Sequence, residues 1–421
     1  MKKIFLILLV VGLFIFPLNL FADDIAEGEE TEETEDDSFP EEKKGSHRMK
    51  DRTVEIGLAN LDVGFSNDFL TLSQFFQDKV SINIDELEKG LNFRADIWIS
   101  PLYFQYNNND KWGFGLSTNV DILGIAGISG KMLTIDEARN EKSDIGGAIF
   151  AELGFHGFFS INKFKIKVKP ALYFPIMYLK PDISYTYHVA DDGTIVDFDY
   201  GMRIYTAGSF EGNFSLTTAP GIDLYAGVEF PLASEIGLSE ILPFLDFDVG
   251  LDMYGLPLIP ATMKDYMEIS GQIGGDQPFN FFGGDTNWNN FMSGGDTVYG
   301  KDNSGKHILR PFKMVAWADW RPIFGFKIFS LKPALGFAVS PLYIQPVSLE
   351  AGVTARIDLL NIFIASLGIN YFDRQWKNSI DLVLNLRAFE LDLGVNFQSP
   401  DFAKSFSGGG LGVNFGLKFG W

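Results

Sequence analysis

The sequence predicts an all-β protein: a transmembrane antiparallel β-barrel of about 14 strands, within a range of about 12 to 16, with a short helical or hatch element near its N-terminal end. Three observations predict it. Segments of roughly 9 to 13 residues alternate apolar with polar or small residues along most of the chain, and successive strand residues face opposite sides. The chain holds 41 Phe, 44 Gly, 14 Tyr and 7 Trp, residues suited to strand surfaces, membrane interfaces and crowded inner walls. Beyond the N-terminus no apolar run reaches the roughly 20 residues of a membrane helix, so a closed barrel is the remaining way to satisfy the backbone in hydrocarbon.

The elements follow in order. Lys2 and Lys3 precede an apolar run from Ile4 to Phe21, which ends in Leu20-Phe21-Ala22 before Asp23 and Asp24. This reads as a signal peptide over residues 1–22, cut after Ala22. The chain has no cysteine, hence neither a lipidation site nor a disulfide framework. Residues 23–52 carry thirteen acidic against five basic side chains and almost no apolar ones, leaving −8 of the net charge of −21. Such a segment does not bury enough surface to offset its ordering entropy, and it is expected to be a disordered acidic extension. It serves either as a solvated spacer or as a tether for cationic partners or divalent ions on the periplasmic side.

The barrel is expected over residues 53–421. A segment near 66–90, with Phe69, Leu70, Leu72, Phe75 and Phe76, is too irregular for a strand and reads as a short amphipathic helix that folds inward as a hatch. Strand patterns then recur. Trp112, Phe114, Leu116, Val120 and Ile122 oppose Gly113, Gly115, Ser117, Asn119 and Asp121, and Ile380, Leu382 and Leu384 oppose Asp381 and Asn385. Short turns fall at Asn162-Lys163, Leu360-Asn361 and Arg387-Ala388, and longer polar connections alternate with them, the longest over 261–307. Segments Ile183 to His188 and Ile195 to Tyr205 raise the count to about 16 if they span; the smaller number treats them as a hairpin outside the membrane.

Candidate chemistry is sparse. The histidines, His47, His156, His188 and His307, show no metal-ligand spacing, and no serine or carboxylate is marked as a catalytic companion. No enzyme activity, cofactor, metal or nucleic-acid partner is expected. The 261–307 segment has three Gly-Gly-Asp triplets and the aromatics Phe279, Phe281, Phe282, Trp288 and Phe291. The triplets match no defined calcium loop, whereas clustered aromatics on a loop point to an apolar contact such as substrate entry. Inward positions are assigned to Lys165, Lys167 and Lys169, to Asp246, Asp248 and Asp252, and to Glu350, Arg356 and Asp358. They meet the need of a wet or self-paired lumen, or set a transverse field for permeating solutes.

The last strand, Leu411 to Trp421, places Leu411, Val413, Phe415, Leu417, Phe419 and Trp421 on one face and Gly412, Asn414, Gly416, Lys418 and Gly420 on the other. It resembles the C-terminal signal of bacterial outer-membrane barrels. That resemblance implies an outer-membrane location in contact with its lipid, with periplasmic chaperones and the β-barrel assembly machinery as partners, the latter reading Phe415, Leu417, Phe419 and Trp421. In length, strand number, hatch and apolar outer loops the chain is also similar to the FadL-like long-chain fatty acid transporters. The Asn-Pro-Ala hatch signature of that family is absent, and Leu58-Ala59-Asn60-Leu61 does not replace it. The resemblance implies passive uptake of small, hydrophobic molecules such as long-chain fatty acids. A general diffusion porin and a surface adhesin or structural barrel are the alternatives.

Overall fold

A computed structural model describes residues 52–67, 91–108, 111–128, 139–161, 163–179, 183–189, 195–209, 215–235, 242, 246–274, 295–322, 328–343, 345–360, 362–386, 388–406 and 409–421. The signal peptide, all of the acidic extension but Arg52, and all of the hatch segment but its flanking strand ends lie outside these residues.

The strands are, in order, β1 (Val54–Asn67), β2 (Leu91–Asn108), β3 (Trp112–Ile128), β4 (Arg139–Ile161), β5 (Phe164–Leu179), β6 (Ile183–Val189), β7 (Ile195–Thr206), β8 (Gly208–Ser209), β9 (Ser215–Leu216) and β10 (Gly221–Phe230). They continue with β11 (Asp246–Ile259), β12 (Ala261–Gly274), β13 (Gly295–Ile308), β14 (Phe312–Arg321), β15 (Phe329–Val339), β16 (Val347–Leu359), β17 (Phe363–Phe372), β18 (Gln375–Asn385), β19 (Phe389–Ser399) and β20 (Gly410–Gly420). Fourteen of them close an antiparallel ring, in the order β1 to β5, β10, β11 and β14 to β20. The seam closes because β20 pairs with both β19 and β1. β6 and β7 stand outside the ring, as the smaller strand count expects.

Alternation makes the wall amphipathic. Leu349 is 69% exposed, Leu335 66%, and Leu367 and Phe155 each 58%, all on the outer face. Between them, Glu152, Asp223, Asn119 and Arg94 turn inward and are buried. A closed sheet with apolar residues outside and polar ones inside is the arrangement a bilayer stabilises. The chain ends at the rim where Val54 starts β1, since Thr53 N donates to Trp421 O at 2.9 Å. The connections at that rim include Asn162-Lys163 and residues 360–362, whereas the longest connections, 180–220 and 260–311, leave the opposite rim. The first rim is therefore periplasmic and the second extracellular.

The stretch expected as a long loop, 261–307, contains a hairpin instead. β12 pairs with β13 on one side and β7 on the other, while β7 pairs with β6 and β6 with the outer end of β4. The pattern is easy to misread because Gly295, Gly300, Asp302, Asn303 and Gly305 dilute the strand signal of β13. Backbone pairing with β12 orders what side-chain propensity alone does not, with residues 302–305 at the point where that pairing shifts register.

The root of this extension enters the barrel mouth. Ala261, Met263 and Ile308 pack with Ala148, Phe150, Tyr173, Tyr178, Tyr205 and Leu342 in one buried cluster. The Tyr173 hydroxyl donates to Ile308 O at 2.9 Å and accepts from Ala261 N at 3.2 Å, tying both hairpin ends to the wall. Gly255, in β11, has φ +64°, and any Cβ there would strike the Pro311 carbonyl oxygen. Gly255→Ala is thus expected to cost about 1 to 3 kcal/mol through backbone strain and overpacking, read as a lower urea midpoint of the detergent-folded barrel. An unchanged midpoint would show that the Pro311 segment moves away freely.

Candidate functional site in the barrel lumen

Inside the ring, residues from many strands surround a cavity of about 370 Å³. Its wall mixes rings (Trp98, Phe150, Tyr254, Tyr343, Phe372) with charges (Asp62, Arg94, Asp96, Asp121, Arg310, Lys377). Four of these charges, Arg94, Asp96, Asp121 and Arg310, belong to two ion-pair groups that join strands across the lumen.

The first group centres on Arg310, in the connection between β13 and β14. Its guanidinium bonds Asp121 of β3 at 2.6 Å, Asp223 of β10 at 3.1 Å, and Glu152 of β4. Lys169 of β5 also pairs with Glu152, and Asn119 Nδ2 donates to Glu152 Oε1 at 2.7 Å. The second group centres on Arg94 of β2, which pairs with Asp96 on its own strand and reaches Asp373 at 2.6 Å. Asp373 lies in the two-residue turn between β17 and β18, where it and Arg374 both have positive φ. Its other oxygen accepts from Gln345 N at 2.9 Å and Ser348 Oγ at 3.0 Å. The Arg94 guanidinium also lies 5.3 Å from the Phe372 ring and 5.5 Å from that of Tyr343, a favourable cation–π geometry.

The charged residues picked out from the sequence sit around these groups. Lys167 pairs with Glu229 at 3.1 Å, and Lys165 lies 4.6 Å from the Phe158 ring centre. Asp246 and Asp248 hold Arg321, while Asp252 accepts from Tyr225 and Trp317, each at 2.7 Å. Glu350 pairs with Lys313 at 2.8 Å, and Arg356 with Asp358 at 3.3 Å. β10 separates the lysine strand β5 from the aspartate strand β11, so each finds partners on other strands. His156 stacks on Tyr103 at 5.0 Å. Toward the periplasmic rim, Lys418 bonds Glu390 at 2.9 Å.

Phe279, Phe281, Phe282, Trp288 and Phe291, and the hatch residues Phe69, Leu72, Phe75 and Phe76, lie outside the described residues. At the C-terminus Phe415, Phe419 and Trp421 are exposed on the outer face, with Leu417 half-buried on the same side. Arg94, Asp121, Glu152, Asp223, Arg310 and Asp373 were not singled out by the sequence. Arg94 and Asp96 alternate with Phe93, Ala95 and Ile97, a pattern that marks them as inward, but Arg310 sits between strands and has no periodic signal. In the outer sheet, Glu268 bonds Arg203 and holds its guanidinium pKa above the usual value, and the Ser304 hydroxyl holds the exposed Asp302 carboxyl below its own.

An apolar outer belt on a closed, even-numbered ring with a polar interior leaves one setting for this fold. The protein is an outer-membrane β-barrel. Its sequence matches no protein-family model and no curated protein. Among solved structures it is similar to the Pseudomonas putida toluene transporter TodX, with 9% identity and a TM-score of 0.48 over 88% of this chain and 90% of that one. A TodX mutant described as a monoaromatic hydrocarbon channel gives 9% and 0.47 over 87% and 90%. A Pseudomonas aeruginosa FadL homologue gives 9% and 0.42 over 88% and 90%. The chemistry of the lumen follows from its own residues.

Proposed function

We propose that the protein is a passive outer-membrane channel for small molecules, with hydrophobic substrates such as long-chain fatty acids favoured over general hydrophilic solutes. The observation that carries this reading is the filling of the described part of the lumen: Arg310 and Arg94 reach across it between strands that are not neighbours, beside a cavity of about 370 Å³ whose wall includes five rings. A wide aqueous passage needs the opposite, whereas a small compartment with aromatic walls suits a desolvated guest. Phe281, Phe282 and Trp288 supply a first apolar contact on the outside. Assembly proceeds through periplasmic chaperones and the β-barrel assembly machinery, on the strength of the outward row Phe415, Leu417, Phe419 and Trp421.

Planar-bilayer recording of the mature protein, with and without a long-chain fatty acid, tests the reading. Little conductance is expected, together with saturable fatty-acid binding that weakens when Phe281, Phe282 and Trp288 are changed to Ala. Large, stable openings whose conductance scales with salt would overturn it in favour of a general porin.

A further inference from the structure

The carboxylate cage around Arg310 has more acceptors than the chain's own cations use. Asp121, Glu152 and Asp223 come from three wall strands, and Glu152 and Asp223 are only 6% and 3% exposed. Against these three negative charges stand, among the described residues, two positive ones, Arg310 and Lys169. Beside Glu152, Asn119 and Ser117 are each 5% exposed, yet Asn119 Oδ1 and Ser117 Oγ have no hydrogen-bond partner. Gly154 lies among them: a Cβ there would strike the Lys169 side chain and meet Glu152 Oε1 and Ser117 Oγ, each at 3.1 Å. Buried acceptors without donors are costly, and their convergence on a negatively charged cradle marks a site for a donor-rich cation.

What already occupies the cage supplies the chemistry. A guanidinium presents five N–H donors in a planar fork. Arg310 brings that fork from the connection between β13 and β14, a segment outside the wall. The cage is thus a cation site filled by the chain itself. Asp121 and Arg310 also line the cavity, so a head group placed there would leave its body among Phe150, Tyr254 and Trp98.

We propose that this cage is a binding site for small aromatic cations bearing an amidinium or guanidinium head, which compete with Arg310 for Asp121, Glu152 and Asp223. The proposal rests on the channel reading for its route of access and adds to it a cationic guest, held at a site separate from any that a fatty acid carboxylate would use. Arg310 acts as an internal competitor: the apparent dissociation constant of a ligand equals its intrinsic value divided by the fraction of cages that are free. Displacing Arg310 also removes one tie between the root of the outer hairpin and the wall, the Tyr173 hydrogen bonds remaining.

Calorimetric titration of the detergent-folded mature protein with benzamidine, its neutral analogue benzamide and the anion benzoate tests the site. Benzamidine is expected to saturate at least tenfold more tightly than benzamide, with no binding of benzoate. Arg310→Met is expected to tighten benzamidine binding tenfold or more, and Glu152→Gln with Asp223→Asn to weaken it by a similar factor. Equal affinity for benzamidine and benzamide, or an Arg310→Met protein that binds benzamidine no more tightly, overturns the proposal. Should Arg310→Met not fold, Asn119→Ala decides: weaker benzamidine binding supports the site and unchanged binding overturns it. Vesicle flux separates the two claims. A protein that passes benzamide but binds benzamidine no better keeps the channel and loses the cation site; a saturable benzamidine site in a barrel that passes nothing keeps the site and overturns the channel.

Discussion

Arg94→Met is expected to destabilise the folded barrel by about 3 to 5 kcal/mol, the cost of breaking a buried ion pair by removing one partner. The Arg94 side chain is 9% exposed and that of Asp373 is fully buried. Asp373 would keep the donors Gln345 N and Ser348 Oγ but lose the cation that balances its charge. It cannot easily turn to solvent, because it occupies the tight left-handed turn between β17 and β18. The double variant Arg94→Met with Asp373→Asn removes both charges and should recover much of the loss, the signature of coupling between neighbours. Urea titration of the detergent-folded protein, read on heat-modifiable gel mobility, measures both. A single variant within about 0.5 kcal/mol of the parent, the usual range for surface substitutions, would mean the pair is not buried in the working protein.

Deleting residues 413–421 is expected to abolish folding into the membrane altogether. β20 is the strand that closes the ring, pairing along β1 on one side and β19 on the other. Without it both neighbours expose unpaired N–H and C=O groups to lipid, and each such group costs several kcal/mol. The expected result is loss of the heat-modifiable band and of detergent-soluble protein; a folded, membrane-inserted product would disprove the closure described here. Trp421→Ala differs in kind. The Trp421 backbone, which accepts from Thr53 N and donates to Val54 O at 3.1 Å, stays in place. That variant should fold normally in detergent yet accumulate less in cells, through recognition by the assembly machinery.

Much of the wall was legible in the sequence because one physical requirement, an apolar outside and a polar inside, writes itself at every second position. Leu349, Val353 and Ile357 read outward on sight, as did the separate standing of β6 and β7. The hairpin of β12 and β13 was not legible, since Gly300, Asp302, Asn303 and Gly305 favour turns and only the pairing of the flanking β13 residues with β12 carries the strand through them. Lumen charges were legible as a class but not as partners. Lys167 names no mate until β10 is known to lie beside β5, and Arg310, which joins three wall strands, carries no alternation at all. Long-range electrostatic partners depend on which strands close the ring, which local pattern does not encode.

The rim shared by Arg52 and Trp421 has a practical consequence. The Arg52 side chain is buried at the base of the barrel, its Nη2 donating to Leu386 O at 3.0 Å, directly beside the strand that Trp421 completes. An epitope tag fused after Trp421 would therefore start on the periplasmic side and be hidden from antibodies applied to intact cells. Display on the cell surface calls for insertion at the far side, between the ends of β12 and β13 at Gly274 and Gly295, strands that take no part in closing the ring, so that a cargo leaves the ring's hydrogen bonding untouched.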